Sequence, residues 1–428
     1  MMDFNSLNHL DYYRLPWNLT DNSISWLEPT SKCNIYCEGC YRLNEKDGHK
    51  TIDQIKDDLD VFVKLRNADG VSIAGGDPLT HPDIIEIVKE VKKRNMKPII
   101  NTNGLALTKE LLHELKKAGV FGFTFHIDSK QGRPKWKDKN ELELNDLRYQ
   151  YAKMLADEGN ISCAFNSTVY EDTMKYIPEM VKWANKNIDI VNVMVFILYR
   201  AVNNSEYDFY LGPKKIDMSQ LVYNEDPATR ADIKAPEVVE LIRKEYPDFD
   251  PCAYLNGSEK PDSFKWLLTG RLGTKKKIYG YVGKKGMEMV QMFYHLFHNK
   301  YLAYAAPKWT RKGKSMLLMG VLDKKLRKAF IKFYKNPLNI FKRLHYQSVM
   351  IIQPVDFMPD GRQSMCDGCP DITVWNGQLV WSCRMEEQLK FGHNLKTYPK
   401  GKCFFSFLQS SKHKTIFFFT EDQIEIVF

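Results

Sequence analysis

The stretch Cys33-Asn34-Ile35-Tyr36-Cys37-Glu38-Gly39-Cys40 places three cysteines at the spacing C-x3-C-x2-C. It follows a strand-like segment at residues 24–29 and precedes a predicted helix that begins near Thr51. Thiolates are soft ligands that suit iron–sulfur clusters and zinc. Three such ligands hold three corners of a cubane cluster and leave the fourth iron free for chemistry. A zinc loop and a chance spacing are the alternatives.

Residues 23 to 204 alternate strand and helix signals. The helices are predicted to begin near Thr51, Pro82 and Thr108 and at residues 143 and 174, and Thr51 and Gln54 form a capping box. The strands are continuously apolar and do not alternate apolar with polar residues, so both of their faces are expected to be buried. This pattern indicates a parallel α/β sheet. They are predicted at residues 24–29, 70–74, 98–101, 122–126, 162–169 and 190–197.

Polar and glycine residues follow the ends of these strands. In parallel α/β folds the carboxyl ends of the strands carry the active site, so these residues are candidates for binding a ligand. Glycines let the backbone approach a ligand closely, and Asn, His and Asp side chains donate to or accept from hydroxyl groups. The candidates are Gly75, Gly76, Asp77, Pro78, Asn103, His126, Asp128 and Asn166.

The cysteine spacing, followed by Gly75-Gly76-Asp77-Pro78, resembles the radical S-adenosylmethionine (radical SAM) superfamily. The resemblance implies a partial (β/α)6 TIM-like barrel over residues 23–204. It also implies a [4Fe–4S] cluster on Cys33, Cys37 and Cys40, with SAM chelating the open iron. Two positions depart from the family pattern: Asp77 stands where Glu is usual, and Gly39 replaces the aromatic residue before the third cysteine.

The resemblance assigns further roles. The Gly75–Pro78 turn is expected to hold the methionine amino group of SAM, and His126, Asp128 and Asn166 its ribose and carboxylate. Asn103 is a further cofactor-binding candidate. A plain βα turn, a structural His126 and a capping Asp128 are the alternatives. Arg200 is either a partner for a carboxylate or an ordinary surface arginine.

By the same resemblance, the reduced cluster cleaves SAM to a 5′-deoxyadenosyl radical that abstracts hydrogen from a substrate. No catalytic residue is assigned beyond the cluster ligands. The expected partners are a small-molecule or lipid substrate and an electron donor such as flavodoxin or ferredoxin. A lipid or isoprenoid-like substrate is favoured over a peptide or protein, and a non-catalytic iron–sulfur or zinc scaffold is the further alternative.

A second group of cysteines lies near the C-terminus. Cys366 and Cys369 form a CxxC, and a hairpin turning at Asn376-Gly377 returns the chain to Cys383. This region resembles the SPASM/twitch extensions of radical SAM enzymes, which implies an auxiliary [4Fe–4S] cluster; zinc takes the same ligands. Cys403 is either the fourth ligand or no ligand. Cys163 and Cys252 read as plain buried thiols.

Positive charge is concentrated in one segment of this 428-residue chain of net charge +9. Residues 308–343 contain twelve Lys and Arg against one acid, Asp323. Interleaved apolar residues favour a peripheral contact with a membrane surface over nucleic acid. With no secretory signal at the start of the sequence, the expected location is the cytoplasm or the inner face of the membrane.

Four regions are expected. They are an N-terminal lead-in (residues 1–22), a radical SAM core barrel (23–204), a loop-rich then basic helical insertion (205–350), and a small Cys-rich extension (351–428). The fold class is therefore α/β, and residues 266–343 are predicted to form two helices, one apolar and one basic.

Overall fold

The computed structural model describes residues 7–201, 206–218, 221, 229–400, 404–409, 414–420 and 423–427. Its strands are β1 (Tyr13–Arg14), β2 (Asp21–Thr30), β3 (Asn67–Gly75), β4 (Lys97–Thr102), β5 (Gly122–His126), β6 (Ser162–Val169), β7 (Val193–Leu198), β8 (Tyr207–Leu211), β9 (Lys214–Ile216), β10 (Ala253–Leu255), β11 (Trp266–Thr274), β12 (Lys277–Tyr281), β13 (His345–Ile352), β14 (Asp356–Phe357), β15 (Gln363–Ser364), β16 (Ile372–Trp375), β17 (Gln378–Trp381), β18 (Lys396–Pro399), β19 (Phe404–Gln409), β20 (Lys414–Thr420) and β21 (Gln423–Val427). Its α-helices are α1 (Ile52–Leu65), α2 (Ile84–Lys93), α3 (Lys109–Ala118), α4 (Asn145–Glu158), α5 (Ile177–Lys186), α6 (Ala235–Glu245), α7 (Lys284–His298), α8 (Pro307–Thr310), α9 (Gly313–Leu317), α10 (Lys324–Tyr334) and α11 (Met385–Phe391).

The central sheet has the strand order β1-β10-β11-β13-β7-β6-β5-β4-β3-β2, and β12 pairs with β11. Strands β2 to β7 are parallel, and β13 continues the parallel set beside β7. The edge strands β1 and β2 are joined by residues 15–20 alone, so the sheet curls back on itself. The mostly parallel sheet with flanking helices confirms the predicted α/β barrel-like fold class.

Local signals in the sequence explain where the first helices begin and end. Thr51 and Gln54 form the predicted reciprocal capping box of α1. Thr108 accepts a hydrogen bond from Leu111 N at the start of α3, and Gly119 ends that helix in the left-handed conformation. Of the apolar residues of α1, Ile55, Leu59 and Phe62 are buried, whereas Val63 is 59% exposed.

The region 266–343 differs from the predicted pair of helices. Strands β11 and β12 occupy its first part, and β11 joins the central sheet through β13. A fully buried arginine on β11 obscured the strand in the sequence. Arg271 donates to Gln347 Oε1 on β13 over 2.9 Å, so its cost of burial is offset by a partner that is distant in sequence.

The amino-terminal ends of the parallel strands are covered by residues 291–316. His295 bonds Asp21 at the start of β2 (2.8 Å), and Ala303 N donates to Asp69 near the start of β3 (3.0 Å). The cysteine loop that follows β2 lies at the opposite, carboxyl end of the barrel. Among the described residues, no helix has the length and apolar character needed to cross a bilayer.

Candidate active site

The first cysteine loop follows β2 and is held at its start and at its middle. Asn44 closes the start of the loop, because its amide bonds both the N–H (2.9 Å) and the carbonyl (3.0 Å) of Cys33. At the middle, Tyr170 Oη donates to the Glu38 carbonyl (2.8 Å) and Gly132 N to the Tyr36 carbonyl (2.7 Å). The loop is therefore fixed by residues that follow β5 and β6.

The Gly75-Gly76 turn at the end of β3 packs directly on this loop. A Cβ on Gly76 would lie 2.2 Å from the carbonyl oxygen of Lys32, and one on Gly75 would lie 2.4 Å from that of Thr30. Gly75 also has a φ of +98°, a conformation that favours glycine. Glycine is therefore required at both positions for the turn to reach the cysteine loop.

Asp77 is buried, and protein donors occupy its carboxylate. Thr102 Oγ1 and the backbone N–H groups of Asn103 and Leu79 donate to it over 2.8–3.0 Å. Burial raises the pKa of Asp77, and these hydrogen bonds oppose that shift. The side chain thus joins the ends of β3 and β4. Pro78 begins the short 3-10 turn that follows.

Asn103 connects that junction to the cysteines. Its Nδ2 donates to Asn34 Oδ1 over 2.6 Å and lies 3.8 Å from Cys33 Sγ. On the next strands, His126 Nε2 bonds Asp128 Oδ2 (2.9 Å) and Thr168 Oγ1 (3.0 Å). Burial opposes ionisation of Asp128, but the bond from His126 lowers its pKa overall.

The second cysteine group lies against the N-terminal segment. The thiol of Cys369 hydrogen-bonds Cys366, which lowers the pKa of Cys366 and raises that of Cys369. Burial raises the pKa of Cys383 to about 12. The predicted hairpin of β16 and β17, with Asn376 and Gly377 at its turn, precedes Cys383.

Arg42, two residues after Cys40, joins the two cysteine regions. Its guanidinium forms a buried ion pair with Glu28 on β2 and donates to the carbonyl of Ser382, beside Cys383, over 2.5 Å. Leu43 N donates to Glu386 Oε1 over 3.0 Å in the same region. No sequence motif marks these contacts, because they connect residues more than 300 positions apart.

We expect Arg42→Met to lower the free energy of unfolding by about 3–5 kcal/mol, because it leaves the buried Glu28 carboxylate without a partner. Urea unfolding measures this change. Lys139→Met, which removes an exposed pair with Glu143, is the matched control and should cost less than about 1 kcal/mol. Equal effects of the two substitutions would contradict the structural role of Arg42.

Both cysteine groups line one cavity of about 1020 Å³ inside the barrel. Six cysteines contribute to its surface, together with most of the polar candidates. The lining includes Cys33, Cys37, Cys40, Cys366, Cys369, Cys383, Gly75, Gly76, Asp77, Asn103, His126, Asp128, Asn166 and Arg200; Pro78 is not part of it.

The two sides of the cavity differ in chemistry. Strands β3 to β6 present small or polar side chains, including Ser72, Ala74, Asn101, Thr124 and Asn166. Strands β7, β11 and β13 present mainly apolar ones, including Val193, Val195, Ile197, Trp266, Leu268, Met350 and Ile352. A ligand with a polar part and a sizeable apolar part matches this division.

One buried polar atom on the polar side points to a bound group. Asn101 Nδ2 has no hydrogen-bond partner among the described residues, although Asn101 lines the cavity. Buried polar groups are normally satisfied, so a ligand with hydrogen-bond acceptors, such as the ribose or carboxylate of SAM, fits this wall.

The thiolate donors of both cysteine groups suit an iron–sulfur cluster or zinc. In the described part of the chain, no three His, Cys, Asp or Glu side chains converge on a position for one metal ion. Burial raises the pKa of Cys33 and Cys37, so metal loading has to displace thiol protons.

The remaining candidates lie apart from the cysteine groups or outside the described residues. Arg200 pairs with Asp356 over 3.1 Å, so the expected carboxylate partner is a protein side chain. Cys163 and Cys252 are buried thiols, as predicted. Cys403 lies outside the described residues. No sequence motif marks Glu28, Arg42, Asn44 and Tyr170, which hold the first cysteine loop.

Residues 27–184 match the model of the radical SAM superfamily. The tungsten-containing aldehyde ferredoxin oxidoreductase cofactor-modifying protein of Pyrococcus furiosus is 38% identical over 211 residues, covering 46% of this chain and 57% of that protein. AdoMet-dependent heme synthase of Methanosarcina barkeri is 32% identical over 108 residues, covering 24% of this chain and 30% of that protein.

The solved structure of Streptococcus suis SuiB bound to S-adenosylmethionine is 15% identical, with a TM-score of 0.38 over 53% of this chain and 47% of that one. The chain spans 57% and 30% of the two relatives above, so neither is matched over its whole length. Residues 27–184 of this chain therefore form a domain of the radical SAM superfamily type.

Proposed function

We propose that the chain is a radical SAM enzyme. The observation that supports this most directly is the shared cavity, where Cys33, Cys37 and Cys40 meet the Gly75-Gly76 turn and the polar wall. When bound, a [4Fe–4S] cluster and SAM supply a 5′-deoxyadenosyl radical that abstracts hydrogen from a substrate. The protein supplies binding, orientation and exclusion of water.

The residues of the polar wall have distinct roles in this proposal. The backbone of Gly75 and Gly76 lies against the cysteine loop and receives the amino group of SAM. Asn101 and Asn166 offer hydrogen bonds to its ribose and carboxylate oxygens. Asp77 and Asn103 keep the turn and the loop in register, and Asp128 orients His126.

A lipid or isoprenoid-like substrate fits the cavity best. The wall of β7, β11 and β13 offers few hydrogen-bonding groups, so it suits a hydrocarbon more than a peptide backbone, whose polar groups need partners when buried. Peptide modification is the alternative. The Pyrococcus relative is named for modifying a cofactor, so a small-molecule cofactor precursor is the third class to assay.

Cys366, Cys369 and Cys383 hold an auxiliary [4Fe–4S] cluster in this proposal, with zinc as the alternative metal. Their place in the same cavity allows exchange of an electron with a substrate radical. Reduction of the first cluster requires an electron donor such as flavodoxin or ferredoxin.

Anaerobic reconstitution with iron and sulfide, followed by dithionite and SAM, tests the enzyme assignment. We expect 5′-deoxyadenosine and about eight irons per chain, the content of two four-iron clusters. Bound zinc, no iron and no 5′-deoxyadenosine would instead leave a structural metalloprotein. Adding lipid, peptide or cofactor-precursor substrates then shows which class accelerates SAM cleavage.

A further inference from the structure

The end of the barrel opposite the first cysteine loop has an unusual surface. Helix α7 is tied to the start of β2 and β3 through His295–Asp21 and Tyr294–Asp69, each 2.8 Å. Helix α8 is tied to the start of β7, because Asn192 Nδ2 donates to Thr310 Oγ1 over 3.1 Å. Residues 284–343 therefore form the amino-terminal face of the barrel.

Large apolar side chains on this face point into solvent. Phe297 on α7 is 77% exposed, Val321 is 81% exposed and Phe341 is 86% exposed. Exposed apolar residues concentrated in one segment mark an interaction site more often than scattered ones do. Other exposed apolar residues of the segment 284–343 are Leu296, Trp309, Leu318, Leu322, Leu338 and Ile340.

Most of the positive charges among these apolar residues have no ion-pair partner among the described residues. Within residues 308–343, all of which are described, only Lys325 and Lys332 form ion pairs, with Asp250 and Asp248. Lys312 Nζ lies 4.9 Å from the centre of the Trp309 ring. Exposed aromatic and aliphatic side chains among unpaired Lys and Arg complement a bilayer with anionic headgroups, whereas duplex nucleic acid has no apolar layer to receive them.

The cavity extends to this face. Trp309, Ser315 and Met316 line the same cavity as the first cysteine loop at the other end. Strands β4, β5 and β7 have five or six residues, which at about 3.3 Å per residue gives this part of the barrel a length of about 16–20 Å. One leaflet of a bilayer is about 15 Å of hydrocarbon, so the barrel has room for an extended lipid chain.

We propose that the amino-terminal face of the barrel docks on an anionic membrane and that an apolar substrate chain enters the barrel there. The apolar wall of β7, β11 and β13 guides the chain towards the cysteines. The docking step is independent of the enzymatic proposal. The entry step rests on the enzymatic proposal, because it supplies a substrate to the enzyme. The basic segment thereby gains a role that the radical SAM domain alone does not explain.

Flotation of the full chain with phosphatidylglycerol/phosphatidylcholine vesicles tests docking. We expect binding that pure phosphatidylcholine does not support. The triple variant Arg311→Glu/Lys312→Glu/Lys342→Glu should bind at least about tenfold more weakly. Lys109→Glu/Lys137→Glu/Lys390→Glu makes the same charge change at exposed lysines outside the docking face, and it should bind like the parent.

Removal of apolar anchors supplies an independent variant. Val321→Ser/Phe341→Ser changes two highly exposed side chains and leaves the fold intact. We expect this variant to bind the vesicles more weakly than the parent at high salt, where charge is screened, because the two side chains no longer insert into the bilayer. Docking is overturned if the parent ignores anionic vesicles, or if it binds duplex DNA in their place. Flotation requires neither iron nor SAM, so failure of the enzymatic proposal remains distinguishable.

Uptake of 1-pyrenedodecanoic acid from the vesicles tests the entry route. Val195→Trp and Met350→Trp narrow the apolar side of the cavity without altering the docking face. We expect both variants to float like the parent and to lose uptake. Unchanged uptake in both folded variants, or no uptake by a parent that floats, would overturn entry through the barrel.

Discussion

Cys37→Ala is expected to abolish formation of 5′-deoxyadenosine in the reconstituted protein. Cys37 is the middle ligand of the C-x3-C-x2-C loop, and two remaining thiolates on this loop do not complete the protein's share of a cubane cluster. Iron should fall by about four atoms per chain, which is the content of one cluster. Product analysis and iron determination on the same anaerobic sample measure both effects.

Cys163→Ala is the matched control, because it removes a thiol that is buried in β6, away from the cavity lining. It should retain iron and SAM cleavage. Both variants should also show the thermal unfolding profile of the parent, so that a loss of activity is not caused by unfolding. SAM cleavage by folded Cys37→Ala protein would disprove the role assigned to this loop.

The parts of the fold that the sequence predicted well are those set by local chemistry. The capping box at Thr51 and the left-handed Gly119 fix helix ends within a few residues. Buried β-branched and aromatic runs mark the parallel strands, because both faces of such strands are covered. Candidate residues at the carboxyl ends follow from that topology, and the cavity brings most of them together.

The parts that escaped prediction depend on contacts between distant residues. Burial of Arg271 in a strand depends on its partner Gln347, which lies on a strand distant in sequence. Burial of Arg42 likewise depends on Glu28 and on the carbonyl of Ser382. The size of the cavity could not be predicted from the sequence either, because it depends on β11 and β13 extending the sheet.

The connection through Arg42 bears on how the two cysteine groups depend on each other. The first loop has its own supports at Asn44 and Tyr170, which do not involve the C-terminal region. The C-terminal loop is supported by Arg66, whose guanidinium donates to the carbonyl of Cys369 over 2.7 Å. Each loop therefore has the contacts to keep its geometry when the other lacks metal.

Replacing Cys366, Cys369 and Cys383 together with alanine is accordingly expected to lower iron from about eight to about four atoms per chain. Formation of 5′-deoxyadenosine without substrate should persist, because the first loop and the polar wall are intact. Conversion of substrate should be lost, since the auxiliary site shares the substrate cavity. Electron paramagnetic resonance of the reduced protein should show one cluster signal in place of two.

The matched control is Cys252→Ala, which removes a buried thiol that is not part of the cavity lining; it should keep both clusters. If the triple variant keeps about eight irons, the auxiliary cluster is held elsewhere. If the parent contains zinc at this site and the variant loses only zinc, the site is structural, and unfolding stability should fall with it. Loss of SAM cleavage in a folded triple variant would show that the two sites depend on each other. That result would contradict the inference that each loop is supported separately.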